Sequence, residues 1–124
     1  MKHKAQFLEY LKAYNTKDIE SMLSFFDENC VFENFSGGKL TVRTKGKAEL
    51  EALARKSAAA FASRGQRLLS ITEGQGRVVA EIDYHAVLQA DLSPDLLAGT
   101  RLELRGVSVL EFSGEKIIRL SDYS

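Results

Sequence analysis

The stretch FFDENCVFENFSGG, residues 25–38, concentrates side chains whose types could carry chemistry: a thiol, carboxylates and amides. Cys30 could be a nucleophile and Glu33 a general acid. A nucleophilic cysteine needs a nearby histidine or a cationic pocket that lowers the pKa of its thiol. The sequence holds two histidines, His85 and His3, and we expect His3 to lie in a frayed terminus. We therefore predict that Cys30 is a small, buried hydrophobic residue at the start of a strand.

A second candidate is the polar row of RVVAEIDYHAVLQ, residues 77–89. Alternation places Glu81, Asp83 and His85 on one face and the apolar residues from 80 to 88 on the other. If the polar row faced a cavity, a carboxylate two residues from a histidine could share its ring proton and relay protons. If the apolar row faces the core, the polar row is solvated or meets a partner subunit, and we favour this interpretation. A metal site is disfavoured, because metal ligands converge from several elements.

The ending RLSDYS supplies a third candidate. Alternation groups Asp122 with Ile118 and Leu120, and we predict that these three point inward while their neighbours point outward. A carboxylate among apolar side chains has a raised pKa, because desolvation disfavours its charged form. Asp122 could then act as a general acid or base near neutral pH. The alternative is that Asp122 lies at a frayed end, where it caps or salt-bridges locally.

Two tyrosines, Tyr10 and Tyr14, lie one helical turn apart near the start of the chain. Their hydroxyls could both reach the mouth of a cavity, although tyrosines at this spacing are also ordinary core residues. The sequence Gly74-Gln75-Gly76 precedes a strand and not a helix, so it does not form a phosphate-binding turn. We therefore predict no cofactor and no metal.

Composition argues against several classes of partner. Seventeen basic and seventeen acidic residues cancel, and no basic run occurs, so we expect no nucleic-acid partner. No apolar run approaches the roughly 20 residues that span a bilayer, so we expect no membrane association. The start, MKHKAQFLEYLKAY, lacks the apolar segment of a signal peptide. A single cysteine cannot form an internal disulfide, and we expect a cytoplasmic protein.

The elements that position these residues follow from the hydrophobic periodicity. Helical spacing predicts a helix over residues 7–14 and a second, short helix over 19–26 with Asp18 as its N-cap. The run KAELEALARKSAAAFASR, residues 47–64, predicts a long third helix that Gly65 ends. Period two predicts strands over residues 30–35, 40–43, 67–73, 77–89, 100–112 and 116–123.

This order, with most strands following the helices, indicates an α+β domain, and we predict one domain spanning residues 1–124. One strongly bent sheet could wrap around the helices as a cone. Such a cone leaves a cavity between the long helix and the concave face of the sheet.

A resemblance is carried by YLKAYNTKDIESMLSFFDENCVFENFSGG, by KGKAELEALA, and by the ending LELRGVSVLEFSGEKIIRLSDYS. Together they are similar to the SnoaL-like branch of the nuclear-transport-factor-2-like (NTF2-like) superfamily, which includes ketosteroid isomerase and polyketide cyclases. The resemblance covers nearly the whole chain. It implies a cone-shaped NTF2-like fold, in which a curved antiparallel sheet wraps around three N-terminal helices. It does not determine the reaction, because the superfamily places isomerases, cyclases, hydrolases and non-enzymes on one scaffold.

The resemblance also tests ketosteroid isomerase chemistry, which needs an oxyanion-hole tyrosine, a carboxylate base on the first strand and a protonated aspartate on a late strand. Matching the segments places Tyr10 at the position of the oxyanion-hole tyrosine, Asn34 at the position of the base and Ser108 at the position of the late-strand aspartate. An amide cannot abstract a proton, and serine is a weaker donor than a neutral carboxylic acid. We therefore predict that the protein is not a ketosteroid isomerase.

The same match turns alternate residues of the first strand, Cys30, Phe32 and Asn34, toward the cavity and turns Glu33 away as a solvent or interface charge. SnoaL-like cyclases resemble the arrangement at Asp122, because they use a cavity carboxylate for aldol-type proton transfer. We predict Asp122 as the catalytic residue. The predicted ligand-binding residues are Tyr10, Tyr14, Phe32, Asn34, Ser108 and Leu120.

Two classes of function follow from these observations. In the first, the protein is a cofactor-free acid–base enzyme of the isomerase, cyclase or hydrolase type that acts on a small apolar metabolite. Asp122 transfers the proton, and Tyr10 and Asn34 donate hydrogen bonds to the substrate oxygen. In the second, the cavity only binds a small apolar ligand, or the domain is a dimeric accessory module. An enclosed pocket with converging ionisable groups favours the enzyme, and a filled cone favours the module.

An outward row on the sheet has apolar residues at its centre and charges at its ends. We predict that this row forms the interface of a homodimer with a hydrophobic centre and a polar rim. Superfamily members commonly pair through this face of the sheet. The row comprises Glu103, Arg105, Val107, Val109 and Glu111.

Overall fold

A computed structural model of the chain describes residues 2–124, so Met1, the first residue of the predicted domain, lies outside the described residues. The described part forms three helices and six strands. The helices are α1 (Lys2–Asn15), α2 (Ile19–Ser24) and α3 (Lys47–Ala60). The strands are β1 (Phe26–Ser36), β2 (Lys39–Lys45), β3 (Phe61–Gly74), β4 (Arg77–Leu88), β5 (Arg101–Ser113) and β6 (Lys116–Tyr123).

The six strands form one curved sheet in the order β2-β1-β6-β5-β4-β3. The predicted α+β cone is confirmed, with one difference: the sheet is mixed, because β1 and β6 run parallel while all other neighbours are antiparallel. Hairpins force neighbouring strands to be antiparallel. No hairpin joins β1 to β6, since α3 and four strands lie between them in the chain, and their relative direction is therefore free.

The two N-terminal helices lie where the apolar spacing predicts them, but α2 ends at Ser24, and Phe26, the predicted last residue of α2, belongs to β1. The Asp18 side chain accepts a hydrogen bond from the Ser21 amide at 3.2 Å, which confirms the predicted N-cap of α2. The prediction that His3 lies in a frayed terminus is wrong. Its ring stacks on Phe112 with centroids 4.2 Å apart, and its Nε2 lies 2.8 Å from the Gly114 carbonyl oxygen. These contacts tie the start of α1 to the β5–β6 turn.

The third helix is shorter than predicted. It ends at Ala60, and the predicted last residues, together with Gly65, belong to β3. Their backbone pairs with β4 over its full length, from Phe61 opposite Leu88 to Gly74 opposite Arg77. Sheet pairing therefore overrides the helix propensity of these residues. Gly65 is needed for another reason: a Cβ there would lie 2.6 Å from the ring of His85 on the neighbouring strand.

A β-bulge changes the predicted orientation in the last strand. Glu111 of β5 pairs with Arg119, but the next residue of β5, Phe112, pairs with Ile117. Ile118 is the extra residue, so it is 36% exposed, whereas Ile117 is buried. The prediction that Ile118 points inward is therefore wrong. Leu120 lies beyond the bulge and is buried as predicted.

The core lies between the helices and the concave face of the sheet. Phe7 and Leu11 of α1 pack with the inward rows of β4, β5 and β6. Cys30 is 0% exposed and belongs to this core, which confirms that it is buried. None of the helices formed by residues 2–124 has both the length and the apolar character that crossing a bilayer requires.

Candidate functional site

A cavity of about 330 Å³ lies between the helices and the concave face of the sheet. Every helix and every strand contributes to its wall, and most of the wall is apolar. Exposed side chains at Leu104 and Tyr123 line the part that opens to solvent. The structure brings all the predicted site residues together in this wall: Tyr10, Tyr14, Phe32, Asn34, Ser108, Leu120 and Asp122.

Asp122 projects from β6, in the middle of the sheet. Its backbone pairs with Asn34 of β1 on one side and with Ser108 of β5 on the other. The Ser108 hydroxyl donates a hydrogen bond to Asp122 Oδ1 at 2.6 Å, and Oδ2 has no hydrogen bond among residues 2–124. Burial raises the pKa of Asp122 to about 6, although the bond from Ser108 acts in the opposite direction. One carboxylate oxygen is thus held in place and the other is free to bind a ligand.

Tyr10 presents a phenol to the same cavity. Its ring is buried and packs edge-on against Phe25 and Phe26. Its hydroxyl has no hydrogen-bond partner among residues 2–124. Burial and the nearby Asp122 carboxyl raise the pKa of Tyr10, and the Arg64 cation partly opposes them. Tyr10 is therefore a neutral hydrogen-bond donor at physiological pH.

A second polar group involves Tyr14, Tyr84 and Arg64. The Tyr14 hydroxyl donates to the Tyr84 hydroxyl at 3.1 Å. The Arg64 guanidinium carbon lies 3.8 Å from the centroid of the Tyr14 ring, which is a cation–π contact. Burial and the proximity of Tyr84 raise the pKa of Tyr14. All three side chains line the cavity.

The amide of Asn34 is already engaged at the edge of the cavity. Its Nδ2 donates to Thr41 Oγ1 at 2.8 Å and approaches Ser36 Oγ at 3.4 Å. The bond to Thr41 joins β1 to β2, the contact with Ser36 lies within β1, and together they occupy the donors that a substrate oxygen would need. Among the predicted donors, Tyr10 is therefore the one whose hydroxyl remains available.

Glu33 faces away from the cavity, as predicted, but it is not a solvent charge. It is only 5% exposed, because the side chains of Arg43 and Arg119 cover it on the outer face of the sheet. Its carboxylate accepts hydrogen bonds from Arg43 Nη2 at 2.6 Å, Arg119 Nη1 at 2.6 Å and Ser121 Oγ at 3.0 Å. Hydrogen bonds from Arg43, and then from Ser121, lower the pKa of Glu33 despite its desolvation. This cluster joins three strands and supplies no catalytic acid.

The polar row of β4 also lies on the outer face, as favoured by the sequence. Asp83 pairs with Arg67 at 2.9 Å, and Glu81 accepts a hydrogen bond from Ser70 at 2.6 Å. Neither these residues nor His85 line the cavity, so they form no proton relay there. Within residues 2–124, no three His, Cys, Asp or Glu side chains are grouped as a metal would require.

Sequence reasoning missed Arg64 as a member of the site. The helical composition around it extended the predicted helix through residue 64, which hid the alternation of Arg64, Gln66 and Leu68. One signal could have placed it in a strand: β4 is predicted at full length, and a tight hairpin needs a partner strand of equal length. Simple counting back from the turn at 74–76 sets Arg64 opposite Val87, on the outer face. A β-bulge between Leu68 and Ser70 shifts the register by one residue, so Arg64 lies opposite Ala86 and faces inward.

The model of the SnoaL-like domain matches residues 7–120, so the chain belongs to the SnoaL-like domain family. No curated protein sequence matches the chain. Solved structures of similar fold show the same NTF2-like cone.

Three such structures illustrate the similarity. A provisionally named polyketide cyclase from Xanthomonas campestris pv. campestris is 20% identical, with a TM-score of 0.85 over 99% of this chain and 90% of that one. An NTF2-like protein of unknown function from Burkholderia pseudomallei is 16% identical, with a TM-score of 0.81 over 98% and 89%. An epoxide hydrolase from M. tuberculosis is 17% identical, with a TM-score of 0.76 over 96% and 79%. At these identities the likeness establishes the fold alone.

Proposed function

We propose that the protein is a cofactor-free acid–base enzyme that acts on a small, largely apolar carbonyl compound. Asp122 transfers the proton, and Tyr10 donates a hydrogen bond to the substrate oxygen. The strongest support comes from Asp122, whose Oδ2 is free in a largely apolar cavity. Burial raises the pKa of this carboxyl to about 6. A catalytic base works best when its pKa lies near the working pH.

The proposed reaction begins with Asp122 ionised. Oδ2 removes a proton from the carbon beside the substrate carbonyl, and the C–H electron pair forms the carbon–carbon double bond of an enolate. The carbonyl electrons move to oxygen, where the Tyr10 hydroxyl stabilises the negative charge. The carboxylic acid then returns the proton to the substrate at the same or another position. Ser108 holds Oδ1 throughout, which keeps Oδ2 directed at the ligand.

The polyketide cyclase named among the similar structures is compatible with a carbonyl substrate, because ring closure of a polyketide joins carbons that carbonyl groups activate. The apolar wall favours a hydrocarbon-rich molecule over a sugar or a nucleotide. The cavity of about 330 Å³ lies within the range typical of small-molecule sites.

Hydrogen–deuterium exchange at the carbon beside a ketone tests the proposal. 2-Tetralone, a bicyclic apolar ketone, and a panel of cyclic ketones and β-dicarbonyl compounds are incubated with the protein in D₂O, and exchange is followed by NMR. We expect catalysed exchange by the wild type and a loss of about a hundredfold or more in Asp122→Asn. Asp83→Asn, which removes an outer-face carboxylate, is the matched control and should exchange at the wild-type rate.

An equal exchange rate in Asp122→Asn and the wild type would contradict the proposal. Tyr10→Phe separates the roles, since it should slow exchange while leaving the pH dependence set by Asp122. The apolar wall also supports a second function, that of a ligand-binding protein without catalysis. Binding of the panel compounds, with exchange no faster than in buffer, would establish this second function.

A further inference from the structure

Arg64 is a buried cation that no carboxylate neutralises within the described part of the chain. Its side chain lines the cavity, and the residue is only 6% exposed. The ion pairs formed among residues 2–124 join other arginines, lysines and histidine to carboxylates, and none includes Arg64. On the same strand, Arg67 points outward and pairs with Asp83. The arginine that is paired is thus the exposed one.

The hydrogen bonds of Arg64 leave much of its donor capacity unused. Arg64 Nη1 donates to Ser57 Oγ at 3.3 Å, and Nη2 donates to the Tyr14 carbonyl oxygen at 3.5 Å, at the long end of the hydrogen-bond range. Arg64 Nε is buried without any partner. A guanidinium has five N–H donors, so most of them lack a good acceptor.

A purely structural role accounts poorly for this arrangement. Removing a guanidinium from water costs free energy unless an anion or well-made hydrogen bonds replace the water. The cation–π contact with Tyr14 provides part of that replacement and also fixes the position of the guanidinium. It leaves the positive charge without a counter-ion beside an apolar cavity.

We propose that Arg64 binds an anionic group of the ligand, and that the ligand is an apolar molecule bearing a carboxylate. A guanidinium forms two parallel hydrogen bonds to the oxygens of a carboxylate, which a neutral oxygen cannot match. The carboxylate supplies the missing counter-ion and accepts from the Nη atoms that Ser57 and the Tyr14 carbonyl hold weakly. This inference names the substrate class of the proposed function and rests on the same cavity.

Arg64 and Asp122 lie at different levels of the sheet, so they would contact different ends of a bound substrate. Arg64 pairs with Ala86 of β4, whereas Asp122 pairs with Ser108, which in turn pairs with Ala80. These two levels are six residues apart along β4, or roughly 20 Å of strand at about 3.3 Å per residue. The anionic group therefore binds away from the carboxyl that transfers the proton. The separation limits repulsion between the ligand anion and ionised Asp122.

The effects of the two charges on nearby tyrosines agree with a cavity that holds both an anionic and a cationic group. Tyr10 and Tyr84 each experience both charges, since Asp122 raises the pKa of these phenols and Arg64 lowers it, while burial has the larger effect. Both charges therefore act within one cavity. A ligand with a carboxylate at one side and a carbonyl at the other matches that polarity.

Calorimetric titration with a charged and a neutral ligand of the same shape tests the inference. The pair is 2-naphthoate and 2-naphthamide at pH 8. We expect the wild type to bind the carboxylate at least about tenfold more tightly, as charge-assisted hydrogen bonds allow. Arg64→Gln should lose this preference while binding the amide within about threefold of wild type. Arg67→Gln, which removes the outward arginine of the same strand, should retain the preference.

A carboxylate that binds no better than the amide in the wild type overturns the inference, and so does a preference that persists in Arg64→Gln. If Arg64→Gln does not fold, the Nε–Hε signal of Arg64 in the wild type, assigned by its absence from Arg64→Lys, decides the matter. A shift with naphthoate and none with naphthamide supports the inference, and no shift with naphthoate overturns it.

The same titration distinguishes this failure from failure of the proposed function. Asp122→Asn should keep the preference for the carboxylate, because it leaves Arg64 unchanged. A preference that depends on Arg64, in a protein that catalyses no exchange, would remove the enzyme and keep the anion site. Catalysed exchange without any preference would do the reverse.

Discussion

Asp122 links the stability of the fold to pH, because a carboxyl in a largely apolar cavity is costly to ionise. Its pKa is about 6 in the folded protein, against 3.8 for the free side chain. Between these values the folded state holds more protons than the unfolded state, so stability falls as pH rises from about 4 to about 6 and then levels off. A shift of about 2 pH units corresponds to about 3 kcal/mol.

Asp122→Asn removes this penalty while keeping an oxygen that can accept from Ser108. Relative to wild type, we expect the variant to gain about 3 kcal/mol of stability between pH 4 and pH 8, while it loses activity. Urea unfolding at both pH values measures the gain. Asp83→Asn should behave oppositely, since Arg67 lowers the pKa of Asp83 and favours its charged form in the folded state. Equal responses of the two variants would contradict the burial argument.

Cys30 differs from Asp122 in that we expect its potentially reactive thiol to serve only in packing. It is fully buried in the core, and burial raises the pKa of its thiol. We expect Cys30→Ala to cost about 1–2 kcal/mol of unfolding free energy, because a small cavity replaces the sulfur, and to leave ligand binding unchanged. Chemical denaturation and binding measurements check both parts. Rapid labelling of the native thiol by iodoacetamide would disprove the structural role.

For single residues, the sequence predicts the direction of a side chain where that direction depends only on the residue's own strand. Alternation predicts that Asp122 points into the cavity, and the family resemblance predicts the same for Ser108 and Phe32; all three line the cavity wall. The burial of Glu33 could not be predicted in this way, because it depends on Arg43 and Arg119 reaching it from two other strands. The roles of the cavity residues in binding or catalysis stay predictions until they are tested.

Between elements, the backbones approach closely beside the site where β5 meets the end of β6. Gly106 has no side chain, and a Cβ there would lie 2.8 Å from the backbone oxygen of Tyr123. We expect Gly106→Ala to push this end of β6 away, which costs about 1–3 kcal/mol and displaces the neighbouring Asp122. Denaturation and the deuterium-exchange assay measure the two effects.

Gly74→Ala is the control for this substitution. Gly74 also lies in a strand, but a Cβ there would meet nothing within 4 Å. It should change stability far less and leave exchange unaffected. Equal effects of the two substitutions would show that the contact with Tyr123 is unimportant.

Element boundaries that depend on local sequence were predicted well. Boundaries that depend on pairing with a neighbouring strand were not. The Asp18 cap and the tight turns lie where their residue types require. The boundary at Ala60 and the bulge at Ile118 depend on the register of a neighbouring strand. Propensity within a window of a few residues carries no information on that register, so Arg64 was assigned to the wrong element.

For the whole molecule, the outer face of the sheet has the composition of an interface between subunits. Val79 is 40% exposed and pairs across strands with Val109, and the charges of Arg105 and Glu111 border them. We expect a homodimer at micromolar concentration, because an exposed apolar patch with a charged rim favours association. Val109→Glu should give a monomer by light scattering.

Leu92→Lys is the matched control for the dimer, since Leu92 is exposed on the loop between β4 and β5, outside the strands of that face. It should leave the mass of the wild type unchanged. A wild type with a monomeric mass would rule out the dimer.

For the whole molecule, the fold class was predictable from the sequence, because the order of helices and strands restricts the architecture. The parallel pairing of β1 with β6 was not, since it joins segments far apart in the chain.

That parallel pair has a consequence for how the protein is made. Phe26 pairs with Ile117, so β1 must wait for about ninety further residues to leave the ribosome before its inner edge is covered. Until then β1 and β5 both present open edges, which are sites for incorrect strand pairing. Asp122 is carried by the strand that fills this gap. Translation therefore supplies the carboxyl only at the step that joins the two halves of the sheet, and a nascent chain lacking β6 has neither a finished cavity nor a group to react in it.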